Sequence, residues 1–124
     1  MSSATTNHRK VEKVDHVENV AANENTGHTI LLLQFTADQN TRTFIDYDSI
    51  KVCVEGLCYL FEQKLKTQFP ELQEITYDVQ KMFDYLDSLE DLACMIYNVN
   101  IKAYEPKSRD WIKEQVYRGL KQQS

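Results

Sequence analysis

From His28 the chain runs His-Thr-Ile-Leu-Leu-Leu-Gln, an aliphatic stretch directly behind a polar leader. It has the length of a strand and holds no polar residue between Ile30 and Leu33. Side chains alternate across a strand, so Ile30 and Leu32 point one way and Leu31 and Leu33 the other. A strand on the surface of a small monomer alternates apolar with polar. This one is apolar on both faces. The chain's own helices can cover one face, and a second copy of the chain can cover the other.

The rest of the pattern falls into alternating elements. Thr36 to Asn40 is a polar turn, and Thr41 to Tyr47 alternates well enough for a second strand, antiparallel to the first. Asp46 or Asp48 can cap the helix that follows, expected from about Ser49 to Gln68. Ile50, Cys53, Val54, Leu57, Cys58, Phe61 and Leu65 form its apolar stripe. Gly56 sits mid-helix, where glycine costs up to ~1 kcal/mol relative to alanine. Close approach of a strand or another helix is the expected compensation. Phe69-Pro70 ends the helix.

Ile75 to Asp78 leads into a second helix capped by Thr76 or Asp78, with Val79, Met82, Phe83 and Leu86 at amphipathic spacing. Asp91 to Val99 and Ile101 to Glu105 read as strands joined by a turn at Asn98-Val99-Asn100 and stopped by Pro106. Ser108 caps a last helix whose inner side is Trp111, Ile112, Gln115, Val116 and Leu120. The order is β-β-α-α-β-β-α, an α+β arrangement with helices on one face of an antiparallel sheet.

The first 26 residues are rich in Ser, Thr, Asn, Glu and Lys and contain no aromatic side chain. Such a segment buries little, and disorder is expected. Val11, Val14, Val17 and Val20 recur at every third position, which would line one side of a short helix folded on a partner or on the domain. His8, Arg9, Lys10 and Lys13 resemble a weak nuclear-import or phosphate patch.

Composition narrows the function. The 124 residues are enough for one domain, and 42% hydrophobic content supports a core. A formal net charge of -5 lacks the electrostatic footprint of a nucleic-acid binder, so direct nucleic-acid binding is not expected. Cys53, Cys58 and Cys94 are odd in number and show no CxxC pairing, which fits buried thiols in a reducing compartment. There is no signal-peptide pattern and no apolar run that could span a membrane, so an intracellular protein, nuclear or cytoplasmic, is expected. His8, His16 and His28 all lie at or before the first strand, and no GxSxG, GxGxxG, P-loop or HExxH occurs. Asp84, Asp87 and Asp91 read as a solvated helix face rather than an acid–base pair. No catalytic residue, metal or cofactor is implied.

Several stretches resemble the enhancer of rudimentary family. They are His28 to Gln34; Arg42-Thr43-Phe44 with Asp46-Tyr47 and Ser49; Glu55 to Cys58; and Ile75 to Asp78. They continue with Met82 to Asp87, Leu89 and Asp91-Leu92, then Tyr97, Tyr104, Pro106, Asp110 to Glu114 and Tyr117. The likeness covers Gly27 to about Gln122, leaving residues 1–26 as an extension that typical members lack. It implies a four-stranded antiparallel sheet with three helices on one face, and a homodimer formed through the open sheet face. Ile30 and Leu32 would then lie in the interface, with Leu31 and Leu33 in the chain's own core. It also implies a non-enzymatic adaptor that holds short peptide segments of RNA-processing proteins, in messenger-RNA elimination, splicing or small-RNA pathways. A direct RNA-binding accessory or a transcriptional or cell-cycle cofactor is the alternative. Thr43 falls at a family phosphorylation site for an acidophilic kinase, and Asp46 supplies the acid at +3. Ser49 matches a second such site, but its +3 residue is Val52. The loop from Phe69 to Glu74 also departs from the family's composition.

Overall fold

A computed structural model describes residues 6–8 and 27–123. Four strands form one antiparallel sheet: β2 (Thr29–Gln34), β3 (Arg42–Tyr47), β5 (Asp91–Asn98) and β6 (Ala103–Lys107), in the order β3-β2-β5-β6. The helices are α1 (Ile50–Gln68), α2 (Val79–Ser88) and α3 (Arg109–Gln123). The expected order, β-β-α-α-β-β-α, is therefore present. Two short strands are added to it, β1 (Thr6–His8) and β4 (Thr76–Asp78), which among the described residues pair only with each other.

The aliphatic run is the middle of this sheet. β2 pairs with β3 on one side and β5 on the other, so all its ladder positions are used. Leu31 and Leu33 are 0% and 2% exposed and sit in one core cluster with Cys53, Leu57, Met82, Leu86, Ile112 and Val116. All three helices thus pack on the face that carries Leu31 and Leu33. Cys53, Cys58 and Cys94 are buried within that layer, and none of them is in a disulfide.

The termini of the elements follow local chemistry. Ser49, rather than Asp46 or Asp48, caps α1: its hydroxyl accepts from the Val52 amide at 3.2 Å. An N-cap side chain must reach the second or third helical amide, and only the residue just before the helix is placed to do so. Asp78 caps α2 by accepting from the Lys81 amide at 2.9 Å, and Ser108 caps α3 by accepting from the Trp111 amide at 3.3 Å. Arg109 joins two of these elements. Its Nη1 donates to the carbonyls of Leu86 and Leu89 at 2.6 and 3.0 Å, closing the C-terminal end of α2 with a cation.

Two boundaries differ from the sequence reading. The turn after β5 runs to Lys102, which takes φ 55°, so β6 starts at Ala103 rather than Ile101. Pro106 does not stop β6 but lies inside it, opposite Met95. β6 is an edge strand, and an edge strand tolerates proline where the missing N–H would point away from its one neighbour.

Within the leader, read from sequence as disordered, Thr6–His8 forms a strand on β4. The Val11–Val20 repeat lies outside the described residues. No helix among the described residues is long and apolar enough to cross a membrane.

Candidate functional site

The face of the sheet turned away from the helices is the candidate site. Ladder register fixes its members, because paired residues of neighbouring strands share a face. Leu32 stands between Phe44 and Ala93, and Ile30 between Asp46 and Met95. Pro106 extends the second row and Tyr104 pairs with Tyr97. The result is an apolar strip of Phe44, Leu32, Ala93, Ile30, Met95 and Pro106 across all four strands. Ile30, Leu32, Ala93 and Met95 are half-buried by neighbours in the sheet, whereas Phe44 is 71% exposed. A contiguous apolar strip of this kind is a candidate interaction surface.

Polar groups close the strip at both ends. At one end Arg42, Gln34 and Asp91 are in register, and Arg42 Nε donates to Gln34 Oε1 at 2.7 Å. At the other, His28 Nδ1 lies 2.7 Å from the Tyr104 hydroxyl, and His28 Nε2 lies 3.6 Å from Asp46 Oδ1. Tyr97 and Tyr104 meet edge to face with ring centroids 5.2 Å apart. An apolar centre with a polar, hydrogen-bonding margin is the anatomy of a protein–protein interface.

Ile30 and Leu32, singled out from the sequence, are thus neighbours on this face. Thr43 is not with them. It pairs with Leu33 on the helix side of β3, half-buried, its hydroxyl donating to the Thr41 carbonyl at 3.2 Å. Sequence reasoning missed Phe44, Ala93, Met95 and Pro106 as members. The alternation of β3, with Thr43, Ile45 and Tyr47 turned inward, carries a signal for Phe44. The other three emerge only once the register is known.

Sequence reasoning also missed a buried polar pair. Glu62 on α1 is 1% exposed, and the hydroxyl of Tyr77 on β4 donates to its Oε2 at 2.7 Å. Tyr77 and Tyr85 both pack on Phe61, with centroids 4.9 and 5.0 Å away. This cluster holds β4 against α1.

Comparison with known proteins identifies the family of the chain. The family model for enhancer of rudimentary matches residues 25–124. The chain belongs to the enhancer of rudimentary family. It is 45% identical over 101 residues to an enhancer of rudimentary homolog of Arabidopsis thaliana, covering 81% of this chain and 93% of that one. It is 44% identical over 93 residues to the Dictyostelium discoideum homolog, covering 75% and 93%. It is 44% identical over 95 residues to the Drosophila virilis protein enhancer of rudimentary, covering 77% and 91%. The open sheet face lies wholly inside the enhancer of rudimentary match, whereas β1 lies outside it.

Proposed function

We propose that this protein is a homodimeric, non-enzymatic adaptor whose two copies join through the open sheet face. The observation that carries the proposal is the apolar strip centred on Ile30 and Leu32. Three helices cover one side of the sheet, and nothing in the chain's described residues covers the other. Two-fold pairing hides such a strip with one self-complementary surface, and it is the commonest form of closed assembly. Filling the remaining exposure of one aliphatic side chain contributes up to ~1.5–3 kcal/mol, and symmetry doubles each contribution.

The adaptor's clients are short segments of RNA-processing proteins, a class implied by family membership. The protein works inside the cell, in the nucleus, the cytoplasm or both. Its net charge of -5 favours protein clients over direct contact with RNA. Affinity purification of the tagged chain, with and without ribonuclease, tests this. RNA-processing proteins should co-purify in both arms. Loss of every partner on ribonuclease treatment would show instead that RNA is the bridge.

A further inference from the structure

Among the described residues β4 is paired on one side only, and its partner comes from outside the family domain. Thr6, Asn7 and His8 run antiparallel to Asp78, Tyr77 and Thr76, whereas the family match starts at residue 25. Two side chains of β4 are already committed within the domain. Tyr77 is buried with its hydroxyl on Glu62, and Asp78 caps α2. Thr76 is exposed, so β4 offers outward one threonine side chain and its backbone, and a backbone edge accepts any extended segment that can lie beside it. The leader strand itself is Thr-Asn-His, with no apolar residue, as recognition by main chain allows. In the segment leading into β4, Phe69 and Leu72 are 46% and 49% exposed, so large apolar groups precede this edge in the chain.

We propose that the β4 edge is an acceptor site for an extended peptide segment, and that the chain's own leader strand, Thr6–His8, fills it in cis. The leader is then a tethered competitor. A client segment adds to β4 only when Thr6–His8 releases it, and covalent linkage makes the leader's return intramolecular. An edge open about a tenth of the time weakens a competing peptide about tenfold. The proposal rests on the adaptor reading only for what the competing segment is. Edge and leader do not involve the open face of the four-stranded sheet.

The test uses the full chain with Asn7→Pro and His8→Pro together. Of two consecutive residues in an antiparallel ladder, one directs its N–H at the partner strand, so the pair of prolines removes a ladder donor in either register. Asn7→Ala with His8→Ala is the matched control, because it keeps both amides. Amide exchange is followed at Thr76–Asp78, and binding is measured with a labelled synthetic peptide spanning residues 3–11. In the proline variant the β4 amides should exchange faster, and the peptide should bind about tenfold more tightly than to wild type and restore protection. The alanine control should behave as wild type. Equal exchange and equal peptide binding in wild type and proline variant would overturn the proposal. So would an alanine control that loses protection as fully as the proline variant. All three proteins should share one oligomeric state, which separates failure here from failure of the dimer.

Discussion

The phenol of Tyr47, at the end of β3, lies directly over Gly56 in the middle of α1. A β-carbon at Gly56 would overlap the Tyr47 ring, whose Cζ and Cε1 lie 2.5 and 2.8 Å from where it would stand. The mid-helix glycine is therefore the seat for a strand side chain, which is the close approach that its position in the sequence suggested. Gly→Ala in a helix ordinarily stabilises by up to ~1 kcal/mol. Here the sign should reverse. Gly56→Ala should destabilise by ~1–3 kcal/mol, as overpacking does. In a Tyr47→Ala background the same change should be neutral or stabilising. Chemical denaturation of the four proteins of this cycle measures it, and an unchanged effect of Gly56→Ala in both backgrounds would count against the contact.

Arg109 should matter more than a surface arginine. Its guanidinium donates to two carbonyls at the end of α2. Arg109→Met keeps most of the aliphatic stem and removes both donors. It should lower stability by ~1–3 kcal/mol, read as a lower urea midpoint at unchanged slope. A midpoint within error of wild type would mean that water replaces the arginine without cost.

These two contacts show what was and was not legible in the chain. Element types were legible wherever local periodicity decides them, as for the stripes of α1 and α2. The inward role of Leu31 and Leu33 followed from alternation together with the resemblance. What could not be read locally depends on neighbours in space. Pro106 looks like a strand stop until β6 is known to be an edge. Ala93 and Met95 join the open face only through their register with Leu32 and Ile30. β4 carries one buried tyrosine and a helix cap, too little periodicity to announce a strand. Thr6–His8 pairs through backbone, which leaves no apolar signature in its sequence.

Alkaline pH should weaken the fold. Burial raises the Cys94 thiol from 9.0 to about 11, opposed in part by nearby Lys107. Burial, with a contribution from Cys53, raises the Tyr47 phenol from 10.0 to about 12. Cys53 is itself shifted upward, chiefly by burial and also by Cys94. The folded chain keeps these protons where the unfolded chain has released them. This stabilisation is complete below pH about 9 and is lost as pH rises toward the folded values. The melting temperature should fall between pH about 9 and about 11, and less steeply in Cys94→Ala. A flat profile across that range would contradict the burial of these groups.

Thr43 tests the two faces of β3 against each other. Its hydroxyl lies on the helix side, so Thr43→Glu places a carboxylate among core-facing groups rather than on the open face. Phosphorylation there would add about -1.5 to -2 charges at the same position. Thr43→Glu should lower the melting temperature while leaving the oligomeric state unchanged. Dissociation without loss of thermal stability would place Thr43 functionally on the open face.

The most direct measurement concerns Ile30 and Leu32. Size exclusion with light scattering, at micromolar concentration, should give twice the 14.5 kDa chain mass for wild type. Ile30→Arg with Leu32→Arg puts two charges at the centre of the apolar strip, where burial of an unpaired charge is strongly disfavoured. Neither side chain belongs to the helix-side core, so the variant should remain folded by circular dichroism and elute as a monomer. A wild-type monomer would contradict the homodimer outright, and a double variant that stays dimeric would show that the chains do not join through this face.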